Sequence, residues 1–183
     1  MSIELSRRDF MKCSAVAALA VASGTLLTGC GGGGGTGLRP GQTYTTQNGV
    51  SVKMNGYIPH IGLGPNLGDF EIIEVTFSVT NGSDTDVKIG TSAGDVVDSV
   101  FEAIDKIIDS ESPESLKNLS NFNVTSEGAK VYTYIDYNDN HFYMLRPNDS
   151  ATIHLFCAVS STWKTLNIRY QHLGNLSFVL PHN

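Results

Sequence analysis

Residues 72–80 read Ile72-Ile73-Glu74-Val75-Thr76-Phe77-Ser78-Val79-Thr80. From Ile73 the residues alternate, with Ile73, Val75, Phe77 and Val79 on one side and Glu74, Thr76, Ser78 and Thr80 on the other. Side chains in an extended chain point to opposite faces in turn, so this period of two predicts a strand with one face in a core. The polar run Asn81-Gly82-Ser83-Asp84 ends it as a turn, and Val87 and Ile89 begin the next strand. Upstream, Thr43–Thr46 and Val50–Met54 flank Gln47-Asn48-Gly49, where Asn-Gly predicts a tight hairpin with positive φ angles. Downstream, the same alternation predicts strands at Val131–Asp136, Phe142–Leu145, Ala151–Val159, Leu166–Tyr170 and Leu176–Leu180. Many short strands separated by polar turns predict a mainly β fold, an antiparallel β-sandwich.

One segment departs from that period. Across Asp95 to Ser110, Val96, Val97, Val100, Phe101, Ile104, Ile107 and Ile108 recur at spacings of three and four, opposite Asp98, Glu102, Asp105 and Asp109. That pattern predicts one inserted amphipathic α-helix, its apolar stripe capping an end of the sandwich. Pro113 suits the first position of a second short helical turn.

The amino terminus predicts an export address. Ser6-Arg7-Arg8-Asp9-Phe10-Met11-Lys12 precedes an uncharged, Ala- and Leu-rich stretch and resembles a twin-arginine signal, with Arg7 and Arg8 as the pair read by the twin-arginine translocase. The apolar core of the stretch, Ala15–Leu27, is too short for a bilayer-spanning helix, which takes about 20 residues. It ends in Leu27-Thr28-Gly29-Cys30, which resembles a bacterial lipobox. Cleavage before Cys30 would make it the new first residue and a lipid attachment site, and two or more acyl chains would hold the protein at the membrane. Gly31–Gly35 and the residues up to Gly41 read as a flexible tether. The expected organisation is a signal peptide at 1–29, a lipidated cysteine and tether at 30–41, and one β-sandwich domain at 42–183. Of three cysteines, Cys13 goes with the signal and Cys30 with the lipid. That leaves Cys157 on an apolar face as a buried structural thiol, with no disulfide.

The sequence carries a net charge of −6, which excludes a basic nucleic-acid-binding surface. Removing residues 1–29 takes Arg7, Arg8 and Lys12 against Glu4 and Asp9, one positive charge net, and brings the mature chain to −7.

From Gly41 to Leu180 the chain resembles immunoglobulin-like lipoprotein domains of unknown function from Gram-positive bacteria, related in fold to a secreted mycobacterial antigen. The resemblance rests on the opening hairpin, on Glu74–Ser83, on the Asp136-to-Phe142 hairpin, and on Leu145-Arg146-Pro147-Asn148-Asp149-Ser150 before a long apolar strand. In that pattern Gly usually follows the Pro, where this chain has Asn148. The resemblance implies an immunoglobulin-like sandwich and no established activity.

No catalytic constellation is legible. His60, His141, His154, His172 and His182 are scattered without metal-ligand spacing. Asp136-Tyr137-Asn138-Asp139-Asn140 starts like a calcium loop, but His141 and Pro147 stand where that loop needs Gly and Glu, so a hairpin turn is expected there. No cofactor is expected. Tyr132 and Tyr134 on one strand face, joined by Trp163, form a candidate ligand surface for an envelope protein or glycan, since flat rings bury area at small entropic cost. The expected function is a non-catalytic binding or structural module, lipid-anchored on the extracytoplasmic face of the cell membrane. The alternative is a cofactor- or metal-handling accessory or enzyme subunit exported folded by the twin-arginine route.

Overall fold

The computed structural model describes residues 26–28, 37–60, 70–90, 102, 105, 122–138, 144–174 and 176–182, for 26–28 and 132–138 the backbone alone. The strand read first is β4, Phe70–Asn81, at the centre of the larger sheet. That sheet also holds β1 (Leu26–Thr28), β2 (Thr43–Thr45), β3 (Val50–His60), β7 (Val131–Asn138) and β9 (Ser150–Ser160), in the order β1-β2-β3-β4-β9-β7. A second sheet runs β11 (Leu176–Pro181), β10 (Thr165–Tyr170), β6 (Phe122–Ser126), all antiparallel. A short third ladder joins β5 (Val87–Lys88) to β8 (Met144–Leu145).

The two main sheets share one core. Ile73, Val75, Phe77 and Val79 are fully buried, as the alternation required. They meet Phe122, Ile168 and Phe178 of the smaller sheet in one hydrophobic cluster. Phe77 stacks on Phe122 at 4.7 Å and meets Phe178 edge-on at 5.2 Å, and Phe122 stacks on Tyr170 at 4.4 Å. Such aromatic pairs contribute about 0.5–1.5 kcal/mol each beyond the area they bury. Cys157 lies buried in this core.

The opening hairpin forms, by a different turn. Gly49 alone takes a left-handed conformation, at φ 84°, and its N–H donates to the Thr46 carbonyl. Asn48 has no positive φ. Three residues rather than two therefore make the loop, a type I turn closed by a glycine. The Gly82 N–H donates to the Gly49 carbonyl, so the β2–β3 and β4–β5 turns touch through backbone. Beside them Asn148 is the one non-glycine residue with positive φ among the described residues, at 65°. Asn tolerates that region better than most side chains. Asn81, fully buried, ties the turns together: its amide donates to the carbonyls of Thr85 and Leu145, and its side-chain oxygen accepts from the Ser83 N–H and hydroxyl.

Several expectations are corrected. Asp136 to Phe142 is not the loop of a β-hairpin, because β7 pairs with β9 and β8 pairs with β5. Of the Phe142–Leu145 strand, Met144 and Leu145 are described, and they pair with β5 in a separate ladder. β6 carries Phe122 and Val124 inward and was not anticipated, its alternating stretch being short. Leu38, which lies before the expected domain start at residue 42, is buried and bonds through both N–H and C=O to β11. The helix expected over Asp95–Ser110 lies outside the described residues apart from Glu102 and Asp105. The turn at Pro113 lies outside them altogether.

A Cβ at Gly82 would lie 2.9 Å from the Gly49 carbonyl oxygen, against backbone that cannot move aside cheaply. Gly82→Ala is expected to lower unfolding stability by about 1–3 kcal/mol in urea denaturation, as overpacking does. Gln47→Ala at the exposed tip beside it should stay within about 0.5 kcal/mol of the parent.

Candidate functional site

The bulge in β3 between Met54 and Gly56 shifts the pairing that follows, so that Ile58 lies opposite Glu74 and His60 opposite Ile72. On the other side of β4, Thr76 lies opposite His154 and Glu74 opposite Phe156. Partners across a ladder share a face, so His60, Glu74 and His154 come together on the side of the larger sheet away from the shared core. Glu74 Oε2 accepts from His60 Nε2 at 2.8 Å, and Glu74 Oε1 accepts from His154 Nδ1 at 2.6 Å. Glu74 is 7% exposed, and the His60 ring lies 5.6 Å from that of Phe156.

The protons follow from the chemistry. Burial by itself raises the Glu74 pKa, but the hydrogen bonds and charges of His154 and His60 outweigh it and bring the group from 4.5 to about 2. An ionised carboxylate only accepts, so His60 carries a proton on Nε2 and His154 on Nδ1. A buried carboxylate is costly unless fully hydrogen-bonded, and here each oxygen has its own donor. One member comes from each of β3, β4 and β9, and a slip of one residue in any strand would turn that member to the opposite face. The cluster therefore locks the register of three strands. Among the described residues no group of three or more His, Cys, Asp and Glu is placed to hold a metal ion.

A second cluster surrounds Trp163. This ring is 1% exposed, its indole N–H donates to Glu71 Oε1, and it stacks on His182 at 4.3 Å with Tyr57 edge-on at 5.3 Å. The His182 Nδ1–H donates to the Trp163 carbonyl at 2.8 Å, which fastens the C-terminal residues to the turn after β9. Burial removes Trp163 from any exposed aromatic shelf. Tyr132 and Tyr134 lie in β7, where the β7–β9 register shifts between Val131 and Thr133; their side chains lie outside the described ones. Asp136 and Asn138 belong to β7 rather than to a loop, while Asp139, Asn140 and His141 lie outside the described residues.

The His60–Glu74–His154 bridge was not anticipated. Alternation already placed Glu74 and His154 on the faces of their strands away from the core. Nothing local specified that the two strands are neighbours, or that a bulge rotates His60 into place.

Residues 4–24 match the twin-arginine translocation pathway signal sequence. The chain carries a twin-arginine export signal. It is therefore exported out of the cytoplasm, engaging the twin-arginine translocase as it goes, and Arg7 and Arg8 fall inside the matched segment. No curated protein matches the chain. Among solved structures, an uncharacterized beta-sandwich protein from Clostridium difficile 630 is similar at a TM-score of 0.43 and 8% identity, over 85% of this chain and 100% of that one.

Two outcomes are expected. Replacing Arg7 and Arg8 together by Lys should leave the protein in the cytoplasm, read by cell fractionation, because the address is recognised through the guanidinium pair. Glu74→Gln keeps the shape but sets an amide among ring N–H donors, and should cost about 1–3 kcal/mol at pH 6. Since the Glu74 pKa is lowered on folding, its contribution is complete above about pH 4.5 and is lost as pH falls toward 2. The gap between parent and Glu74→Gln in urea midpoint should therefore close over that window.

Proposed function

We propose that this protein is a lipoprotein of the cell envelope, a non-catalytic β-sandwich module held at the extracytoplasmic face of the membrane by acyl chains on Cys30. The observation that carries the reading is the order of the segments. A twin-arginine signal is followed by Leu27-Thr28-Gly29-Cys30, then by a glycine run, and then by Leu38, which is buried in the core of the sandwich. In this reading residues 1–29 are removed, Cys30 becomes the first residue, and the run from Gly31 to Gly37 separates lipid from domain. The immunoglobulin-like resemblance and the polar lock at Glu74 favour a surface-presenting scaffold over an enzyme. The Cys157 thiol lies in the core, on the opposite side of the sheet from His60 and His154.

Folded export fits the chemistry of this domain. Cys157 is buried and unbridged, so the fold needs no oxidation after leaving the cytoplasm. Any partner is an envelope protein or glycan that meets the exposed part of the sandwich.

Mass spectrometry of the membrane fraction should find a mature chain beginning at a diacylglyceryl-modified Cys30. Cys30→Ala should move the protein into the soluble fraction. A mature chain with any other first residue, or an unchanged distribution, would overturn the anchor.

A further inference from the structure

Three asparagines in this sequence are followed by glycine: Asn48-Gly49, Asn55-Gly56 and Asn81-Gly82. In such a pair the glycine nitrogen, once it has lost its proton to water, attacks the asparagine side-chain carbonyl carbon. Glycine has no Cβ to crowd that approach. The carbon–nitrogen bond to the side-chain amide then breaks, and ammonia leaves with a proton from solvent. Water opens the resulting succinimide ring at either of its carbonyls. The product is aspartate or isoaspartate, the latter carrying the main chain through its Cβ. The reaction consumes water, releases ammonia and needs no other reagent, but the fold treats the three pairs differently.

Asn81 is closed to it. The residue is fully buried, its amide donates at 2.8 Å to the carbonyls of both Thr85 and Leu145, and its side-chain oxygen accepts from the Ser83 N–H and hydroxyl at 3.0 and 2.6 Å. The Gly82 N–H, whose nitrogen would attack, is donated to the Gly49 carbonyl at 3.1 Å. Asn55 is exposed in the β3 bulge, but the Ser78 hydroxyl of β4 bonds both its amide nitrogen, at 3.0 Å, and its oxygen, at 3.3 Å. Asn48 is exposed at the tip of the β2–β3 loop, and no hydrogen bond from another described residue holds its side chain. The Gly49 N–H is donated to the Thr46 carbonyl at 3.0 Å, so attack requires that this single turn open. Opening an exposed turn costs far less than opening a buried network.

We infer that Asn48 is a self-modifying site, converted to aspartate and isoaspartate while the protein is folded, and that the buried hydrogen bonds of Asn81 preserve the chemically identical pair beside it. The consequences are local. A carboxylate enters at the tip, next to a turn that already carries Asp84 and Asp86. Where the product is isoaspartate, an extra main-chain carbon precedes Gly49, whose carbonyl accepts from Gly82. The contact between the β2–β3 and β4–β5 turns then loses its register, so the modification loosens the turns it marks. The modified fraction grows with time after folding, and the exported chain carries that change outside the cytoplasm.

The test is peptide mapping by mass spectrometry of the full-length protein, incubated at mildly alkaline pH either folded or in urea. In urea the three pairs are expected to react at similar rates. In the folded protein Asn48 should react several-fold faster than Asn55, and Asn81 at least about tenfold more slowly than in urea, because reaction there waits for the network to open. The aged protein should unfold at lower urea than the fresh one. Asn48→Gln, whose longer side chain closes a ring far more slowly, should remove both the product and the shift. Folded protein in which Asn48 reacts no faster than Asn55, or in which Asn81 reacts as fast as in urea, would overturn the assignment of the site. An unchanged urea midpoint in protein modified at Asn48 would overturn the loosening.

Discussion

The two sheets are held face to face by a column of aromatic rings. Phe77 from the middle of β4 lies against Phe122 of β6 and Phe178 of β11, and Phe122 continues onto Tyr170 of β10. The core they share is apolar, with the buried Cys157 within it. The cohesion is therefore apolar burial and ring packing, which require only that the strands alternate correctly and meet in register. Everything else in the described fold is arranged around keeping that register.

Two polar devices do so at opposite ends. At the glycine-turn end, buried Asn81 uses its whole amide to join the β4–β5 turn to β8, and the backbones of Gly49 and Gly82 come together where no side chain fits. Further along β4, Glu74 is shared between His60 and His154, so the outer face of β3, β4 and β9 is also fixed. Both satisfy every charge or amide they bury, which is the condition under which a buried polar group adds specificity rather than cost.

The same topology bears on how an exported domain is held together where its chain enters. Leu38 is hydrogen-bonded into β11 while residues 43–45 pair with β3, so the entering chain is fastened to both sheets within a few residues. At the other terminus, His182 stacks on Trp163 and bonds its carbonyl, fixing the last turn of chain.

The sequence by itself determined the export address, since Arg7 and Arg8 before a short apolar run are read by a receptor without reference to any fold. It also determined the strands and inner faces of β4, β9, β10 and β11, because period-two alternation is a local property of the chain. The tertiary structure alone decided which strands are neighbours. Pairing set β7 against β9 instead of in a hairpin with β8, and the bulge at Met54–Gly56 with the β4–β9 register made a bridge of His60, Glu74 and His154, residues far apart in sequence. It placed Trp163 in the core, because a ring with one N–H donor is readily buried once Glu71 accepts from it. Those outcomes depend on long-range ladders and packing, which no local pattern of residues encodes.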